Sequence, residues 1–278
     1  MSYTNGLDKP SDYFNTVLWT GDGTSSNSIT GVGFQPDWNW IKRRSSVASH
    51  HLQDIIRGST VSVYSNLTNA EGTDVNNVTS FDSDGFTLGN GSGVNTSGVT
   101  YVGWNWLASN TTASNTDGSI TSTVSASTTS GFSIVSYTGN GSAGATVGHS
   151  LGATPNVVLV KQRNASNNWM MYHSSLGNTG NMRLNDTNAF AVDTTYWNDT
   201  SPNSTTFTLG TDGKGNGSGN TYIAYCFAEK KGFSKFGSYV GNGSSDGSFI
   251  YTGFKPAFVI RKSSTYAGTD WRMDDNER

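Results

Sequence analysis

The chain contains one sequence pattern three times, and this repeat limits what the chain can fold into. The copies run over Phe14–Lys42, Gly131–Lys161 and Gly232–Lys262. Each copy reads as an aromatic-rich strand, a Gly-x-Gly turn, a polar hairpin, a proline, and a second strand that ends in lysine. The repeat periods of 118 and 102 residues exceed the ~20–50 residues of solenoid repeats. The pattern therefore predicts an array of small β domains, each large enough to hold its own core.

The second half of the repeat occurs twice. Gly85–Gly89 matches Thr206–Gly210, and Tyr101–Trp106 matches Tyr222–Phe227. Each pair of blocks is separated by a Gly/Asn/Ser loop of equal length, which predicts a loop of fixed geometry. Alternation of large apolar residues in the closing blocks predicts a buried strand face. The third copy contains only the first half of the pattern.

These boundaries predict an all-β chain of tandem antiparallel β-sandwich or barrel-like modules, the last one incomplete. The predicted divisions are a lead-in at 1–12, module 1 at 13–108, a Ser/Thr-rich linker at 109–130, module 2 at 131–230, and the first half of module 3 at 231–278. The linker composition allows a short strand at Ser119–Ser125. We expect either that the chain is a fragment of a longer gene product or that a partner chain completes the half-module.

Composition narrows the possible partners. Charged residues are 13% of the chain and the net charge is −3. The sequence contains no basic stripe other than Lys42–Arg44, so nucleic-acid binding is disfavoured. No apolar stretch approaches the ~20 residues that a membrane helix needs, and the polar start Met1–Pro10 predicts no secretory signal. The single Cys226 fits synthesis in a reducing cytoplasm.

One segment is ambiguous between helix and strand. His50–Arg57 allows either structure, but its counterpart Asn168–His173 alternates like a strand. Equivalent segments of one repeat adopt one structure, so we predict strand for both.

Two motifs resemble binding sites. Gly139–Gly144 has the G-x-G-x-x-G spacing of a dinucleotide fingerprint, but Pro155 follows where a helix is needed, so we predict a turn. Asp82–Gly85 has the carboxylate spacing of a calcium loop without its further ligands, so we predict an exposed hairpin turn, with a weak calcium site as the alternative.

Few residues could carry out catalysis. His50 and His51 lie near Asp54, but adjacent residues of a strand point apart and cannot serve one proton or one metal. His149 and His173 stand alone, and Cys226 is expected to be a packing residue. We therefore predict no catalytic residues, no metal site, no cofactor and no enzymatic activity, while the ligand-binding residues stay undefined.

The aromatic residues could bind sugars, because their faces stack on pyranose rings. Most of them fall on predicted core faces, however, and Trp19 and Trp271 are the least clearly assigned.

Six motifs carry a resemblance that covers Ser2–Arg278. They are SYTNGLDKPSDYFNT, GVGFQPDWNWIK, TSFDSDGFTLG, GFSIVSYTGNG, TYIAYCFAEKKGFSKFGSYVGNGSSDG and YTGFKPAFVIRK. Together they resemble an uncharacterised repeat of marine tailed phages that is found in tail-fibre and virion structural proteins. The resemblance implies a virion component, made in the host cytoplasm and released by lysis. It also implies a homo-oligomer that contacts other virion proteins.

The leading functional expectation is a tail fibre or related virion surface protein that contributes to attachment to host surface polysaccharide. The alternative is a purely structural virion component, such as a capsid decoration or a fibre spacer. A glycan-degrading enzyme is less favoured, because glycosidases use a pair of carboxylates and the two complete modules share no such pair at strand ends. We expect neither nucleic-acid binding nor membrane insertion.

Overall fold

The computed structural model describes Leu7 and residues 9–278, and over this range the chain is almost entirely β. Most of the predicted lead-in therefore lies outside the described residues, and Pro10–Asp12 forms a short 3-10 helix. Below, repeat 1 denotes residues 13–108, repeat 2 residues 131–230, and repeat 3 residues 231–278.

The strands follow the repeats along the chain. Up to residue 108 they are β1 (Phe14–Thr20), β2 (Asn27–Ile29), β3 (Trp38–Arg43), β4 (His51–Asp54), β5 (Gly58–Tyr64), β6 (Gly72–Thr73), β7 (Val78–Asp82), β8 (Gly85–Leu88) and β9 (Thr100–Trp106). From 109 to 230 they are β10 (Ala113–Asn115), β11 (Ser122–Ser127), β12 (Phe132–Thr138), β13 (Ala145–Gly148), β14 (Val157–Gln162), β15 (Met170–His173), β16 (Gly177–Met182), β17 (Ala191–Val192), β18 (Thr206–Leu209) and β19 (Thr221–Phe227), with the one-turn helix α1 (Gly213–Asn216) before β19. Repeat 3 contains β20 (Phe258–Arg261) and β21 (Arg272–Asp275).

Repeats 1 and 2 each build a large antiparallel sheet to the same plan. The first has the order β1-β9-β3-β4-β5-β6, and the second has β12-β19-β14-β15-β16-β17 with β10 and β11 added beyond β12. A smaller sheet packs on the outer face of each, β2-β8-β7 on the first and β13-β18 on the second. In the described part of the chain these sheets stay open, so the sandwich-like, all-β prediction is confirmed and the barrel-like alternative is not.

Strand β14 shows why the apolar runs in the sequence form central strands. Val157 and Leu159 face the other large sheet, whereas Val158 and Val160 face the small sheet. Both faces of the strand are buried, so the sequence reads as a continuous apolar run rather than an alternating one. Within the segments that were ambiguous between helix and strand, His51–Asp54 forms β4 and Met170–His173 forms β15, which confirms the strand prediction there, whereas residues 55–57 form a turn.

The inner faces of the two large sheets pack against each other in one aromatic core. Trp38 stacks on Tyr225 of the second repeat, with ring centroids 4.3 Å apart, and on Phe132 at 5.6 Å. Trp104 and Leu159 belong to the same buried cluster. The expectation that each module has its own separate core is therefore incomplete, because the largest aromatic side chains are shared between repeats.

The predicted linker at 109–130 is part of the second sheet. Strand β11 pairs with β12 along its whole length, and β10 pairs with the outer edge of β11. Val124 enters the core of repeat 2, and the Ser122 hydroxyl donates to the Gly148 carbonyl at 2.9 Å. The short strand allowed at Ser119–Ser125 overlaps β11, so this part of residues 109–130 is docked on the second sheet by its backbone pairing and by Val124.

The first strand predicted for repeat 3 does not form. Residues 235–257 have no strand in the structure, whereas β20 and β21 pair with each other. The counterparts of the predicted strand, β1 and β12, each pair with the closing strand of their repeat, β9 or β19. Residues 231–278 contain no closing strand sequence, so this segment has no partner within its repeat.

The glycine-rich loops are held by one asparagine in each repeat. The Asn95 side chain donates to the Gly89 carbonyl at 2.9 Å and accepts from the Asp22 backbone N–H at 3.0 Å. In repeat 2, Asn216 donates to the Gly210 carbonyl at 2.7 Å and accepts from the Asn140 N–H at 3.0 Å. Each Gly-x-Gly turn is therefore fixed to the loop before the closing strand, which explains why the loop length is the same in both repeats.

Candidate ligand-binding cleft

An open cleft of about 510 Å³ lies on the surface of repeat 1. It is formed by the end of β3, the start of β4, the end of β5 and the loops that follow β5 and β8. The residues with polar side chains that line it are Arg43, Ser49, His51, Tyr64, Asn69, Asp74, Asn77 and Ser92.

His51 forms the floor of the cleft. Its side chain is buried and its ring lies edge-on to Tyr64, with centroids 5.0 Å apart. Burial lowers the pKa of His51 to about 4, so its imidazole is neutral near pH 7. Its Nδ1 has no hydrogen-bond partner among the described residues. A Cβ atom on Gly93 would collide with the imidazole, so a glycine is needed beside it.

Arg43 forms one wall. Its guanidinium donates to the Ser46 and Thr96 hydroxyls at 3.2 Å each and to the Ser92 carbonyl. It also lies 5.9 Å from the centre of the Tyr101 ring. These contacts fix the orientation of the guanidinium at the edge of the cleft.

In repeat 2, different residues fill the space equivalent to the cleft. Met170 replaces His51, and its methyl group lies where a side chain on Gly215 would project. Lys214 lies 5.2 Å from the centre of the Tyr196 ring and pairs with Asp212 at 2.9 Å. The cleft is therefore a property of repeat 1 and not of the repeat in general.

The cleft offers a neutral imidazole, side-chain amides, one carboxylate and one fixed guanidinium. This mixture can donate to and accept from hydroxyl groups without demanding a strongly charged ligand. A carbohydrate meets these requirements.

The structure separates the histidine–carboxylate cluster seen in the sequence. His51 lies in the cleft, whereas His50 accepts a hydrogen bond at Nδ1 from the Trp40 indole at 2.9 Å. Asp54 is buried at the junction of repeats 1 and 2, where Arg57 donates to it at 2.6 Å and the Tyr225 hydroxyl donates at 2.7 Å.

Burial and charge act in opposite directions on this buried group. Burial alone would lower the pKa of Arg57, but the adjacent Asp54 carboxylate raises it above its ordinary value. Burial also raises the pKa of Tyr225 well above the ordinary value of a tyrosine. The group is an ion pair with a neutral phenol, closed off from solvent, and it ties two repeats together.

The remaining histidines and the cysteine take part in packing and hydrogen bonding. His149 is buried and hydrogen bonds to the Asn203 carbonyl at 3.2 Å, and His173 accepts from the Ser175 N–H at 3.1 Å. Cys226 is fully buried in the outer layer of repeat 2, where burial raises the pKa of its thiol to about 12.

The two glycine- and aspartate-rich motifs form turns, as predicted. Gly139–Gly144 leads into β13 without a helix. Ser83 and Asp84 form the two-residue turn between β7 and β8. Asp84 accepts from the Gly31 and Gly33 N–H groups at 3.1 and 2.7 Å.

The carboxylates do not gather into a metal site in the part of the chain described here. Asp82 accepts hydrogen bonds from the Ser80 and Thr87 hydroxyls at 2.8 and 2.6 Å, and it shares neither of these partners with Asp84. Within residues 9–278 no group of three or more His, Cys, Asp or Glu side chains is placed to hold a metal ion.

No helix among the described residues has the length and apolarity to span a bilayer.

The two tryptophans left open by the sequence are both engaged. Trp19 stacks on Tyr101, with ring centroids 5.4 Å apart, and its indole donates to the Val94 carbonyl at 3.1 Å. The Trp271 indole donates to the Arg183 carbonyl at 3.0 Å.

Sequence reasoning did not find the cleft. Asp74 and Asn69 have the equivalents Asp193 and Asn188 in repeat 2, so they read as ordinary turn residues. The useful signal is the difference between the repeats, where a histidine and a glycine in repeat 1 stand in place of a methionine and a lysine in repeat 2.

Taken together, these features define an all-β repeat protein with an open polar cleft on repeat 1. The chain belongs to the family described as a domain of unknown function, DUF7483, whose model matches residues 9–278. No curated protein and no solved structure matches the chain.

Proposed function

We propose that this chain is a phage virion surface protein, part of a tail fibre, that contributes to host attachment by binding surface glycans. The observation that carries the proposal is the cleft on repeat 1, with its buried neutral His51 and fixed Arg43. The resemblance of the repeat motifs to those of marine tailed-phage proteins supports the virion assignment.

A shallow, open cleft fits a weak single site better than a tight one. An oligomeric fibre presents several copies of such a site, and effective concentration then raises the overall affinity without any new contact. Attachment through many weak sites therefore needs only the modest set of polar contacts that the cleft provides.

The test is binding of the purified chain, coupled to beads at high density, to polysaccharide from the host surface. Asp74→Ala removes a carboxylate that lines the cleft, and we expect binding to weaken about tenfold, the effect of one lost charged hydrogen bond of ~1.4 kcal/mol. Saturable binding that Asp74→Ala leaves unchanged would exclude the cleft, and no saturable binding at any bead density would exclude attachment.

Asp193→Ala is the matched control. Asp193 accepts from the Thr195 N–H at 3.0 Å, and Asp74 accepts from the Asn76 N–H at 2.9 Å, so both substitutions remove the same kind of turn contact. Only Asp74 lines the cleft. Equal loss of binding in the two variants would mean that the effect comes from altered turn structure.

The second candidate is a purely structural virion component, such as a capsid decoration or a fibre spacer. The shared aromatic core favours it, because a rigid body built from fused repeats suits a spacer. Antibody labelling of phage particles separates the two proposals, since labelling on the head excludes the fibre assignment.

A further inference from the structure

The junctions between successive repeats are built from the same contacts. The Lys161 ammonium of repeat 2 donates to the Thr68 carbonyl of repeat 1 at 3.1 Å. The equivalent Lys262 of repeat 3 donates to the Thr187 carbonyl of repeat 2, also at 3.1 Å. Thr68 and Thr187 each begin the same Thr-Asn-Ala sequence, so one junction reproduces the other.

Three further pairs of hydrogen bonds repeat in the same way. In the first pair, the Asn167 N–H donates to the Thr68 carbonyl at 2.8 Å and the Gly268 N–H donates to the Thr187 carbonyl at 2.9 Å. In the second, the Glu71 N–H donates to the Arg163 carbonyl at 2.8 Å and the Phe190 N–H donates to the Ser264 carbonyl at 3.0 Å. In the third, the Trp169 indole donates to the Tyr64 carbonyl at 2.9 Å and the Trp271 indole donates to the Arg183 carbonyl at 3.0 Å. One spatial operation therefore relates repeat 1 to repeat 2 and repeat 2 to repeat 3.

Repeat 3 also contacts repeat 1, again in an equivalent way. Asp275 receives a hydrogen bond at 3.0 Å from the Trp104 indole of repeat 1, as Asp54 receives one from Tyr225 of repeat 2. Trp104 and Tyr225 are equivalent positions of the closing strands.

The arginines beside these carboxylates repeat as well. Arg278 donates to Asp275 and Arg57 donates to Asp54, each through Nε at 2.6 Å. The contact that repeat 1 makes with repeat 3 is therefore equivalent to the contact that repeat 2 makes with repeat 1. An operation that returns to its starting point after three steps is a rotation of about one third of a turn, so the repeats surround a pseudo-threefold axis.

Repeat 3 leaves exposed the apolar surface that in repeats 1 and 2 packs against the smaller, outer sheet. Tyr239 is 56% exposed and Phe249 is 89% exposed. Their counterparts Tyr137 and Ile29 are 4% and 7% exposed, because the second halves of repeats 2 and 1 cover them. The edge of β20 is also unpaired among the described strands, whereas its counterparts β3 and β14 pair on both sides.

From this symmetry we infer that repeat 3 binds a polypeptide segment with the pattern of the second half-repeat. That segment contains a Phe-Thr-Leu-Gly strand, a Gly/Asn loop and a closing strand with large apolar residues at alternate positions, as in Thr206–Phe227. The closing strand pairs with the free edge of β20 by β-augmentation. Its inward side chains complete the aromatic core between the three repeats.

The register of the repeats specifies the experiment. Arg278 is equivalent to Leu176, so a copy of Gly177–Ala228 appended directly after Arg278 continues repeat 3 in phase. We expect hydrogen exchange at residues 236–262 to slow at least tenfold, dye binding to exposed apolar surface to fall, and the chain to stay at its original oligomeric state. No change in exchange over this segment would overturn the inference.

Two further chains make the result specific. The same extension with Ile223, Tyr225 and Phe227 of the added copy replaced by serine should give no protection, and protection by it would refute the side-chain pattern. An extension with Gly58–Ala108 of repeat 1 should protect like the first, and failure of both native extensions refutes the proposal. If the unextended chain instead forms a dimer in which residues 236–262 are protected, a second copy is the occupant and the inference is wrong.

Discussion

At the scale of single residues, pH is the condition that should most affect this protein. The pKa values of all four histidines are lowered by burial, that of His50 to about 3 and that of His51 to about 4. Asp37 acts in the opposite direction, because burial raises its pKa to about 6 even though the Ala108 and Asn110 N–H groups donate to it.

We predict that stability falls as the pH drops from about 6.5 to 4. A histidine with a lowered pKa binds fewer protons when folded than when unfolded, so its contribution is full above pH 6.5 and is lost toward the folded pKa. Protonation of Asp37 stabilises the folded protein over part of this range, but the pKa shifts of His50 and His51 are larger. Urea unfolding at several pH values measures the slope, and His50→Gln should flatten it. A midpoint that rises on acidification would contradict this prediction.

The buried ion pair offers a second residue-scale prediction. Arg57→Met leaves the Asp54 carboxylate buried without its cation, which should cost about 3–5 kcal/mol of unfolding free energy. Arg261→Met is the matched control, since it removes the arginine of an ion pair with Asp274 in which the two side chains are 45% and 57% exposed. Chemical denaturation measures both, and an equal loss in the two variants would show that burial is not the cause.

At the scale of the elements, β11 decides whether residues 109–130 connect the repeats or belong to one. Ser125 lies in β11 between β10 and β12, so Ser125→Pro removes a ladder hydrogen bond and should cost about 2–3 kcal/mol. Thr128→Pro is the control, because Thr128 is exposed in the turn after β11, where proline is accommodated. Thermal melts of the two variants that coincide with the parent would restore the linker interpretation.

Sequence patterns predicted the elements well wherever the local chemistry is complete. The aromatic-rich strand predicted before the Gly-x-Gly turn of the first copy forms as β1, which begins with the copy at Phe14 and ends at Thr20, directly before Gly21. The same pattern did not form a strand in repeat 3, because a strand must also pair with a neighbouring strand, and local sequence does not show whether that partner is present. The cleft could not be predicted either, since Asp74 and Asn77 come together with His51 only after β4 and β5 have paired.

At the scale of the whole molecule, the shared core should make repeats 1 and 2 unfold together. Trp38 packs on Trp106 of its own repeat, at 4.5 Å, and on Tyr225 of the next. We predict that Trp38→Ala costs about 3–5 kcal/mol and destabilises β9 and β19 equally. Hydrogen exchange of these two strands measures the effect, with the partly exposed Leu18→Ala as the control. Loss of protection in β9 alone would mean that the repeats are independent domains.

The difference between His51 in repeat 1 and Met170 in repeat 2 has a consequence for how such a protein can specialise. Three identical subunits around an axis carry every surface feature three times or not at all, because one gene encodes them all. Tandem duplication removes that constraint, since each repeat mutates separately while the junction contacts through Lys161 and Lys262 keep the repeats together. One repeat can then hold a recognition surface, while in its neighbour larger side chains fill the equivalent space and the repeat serves as support.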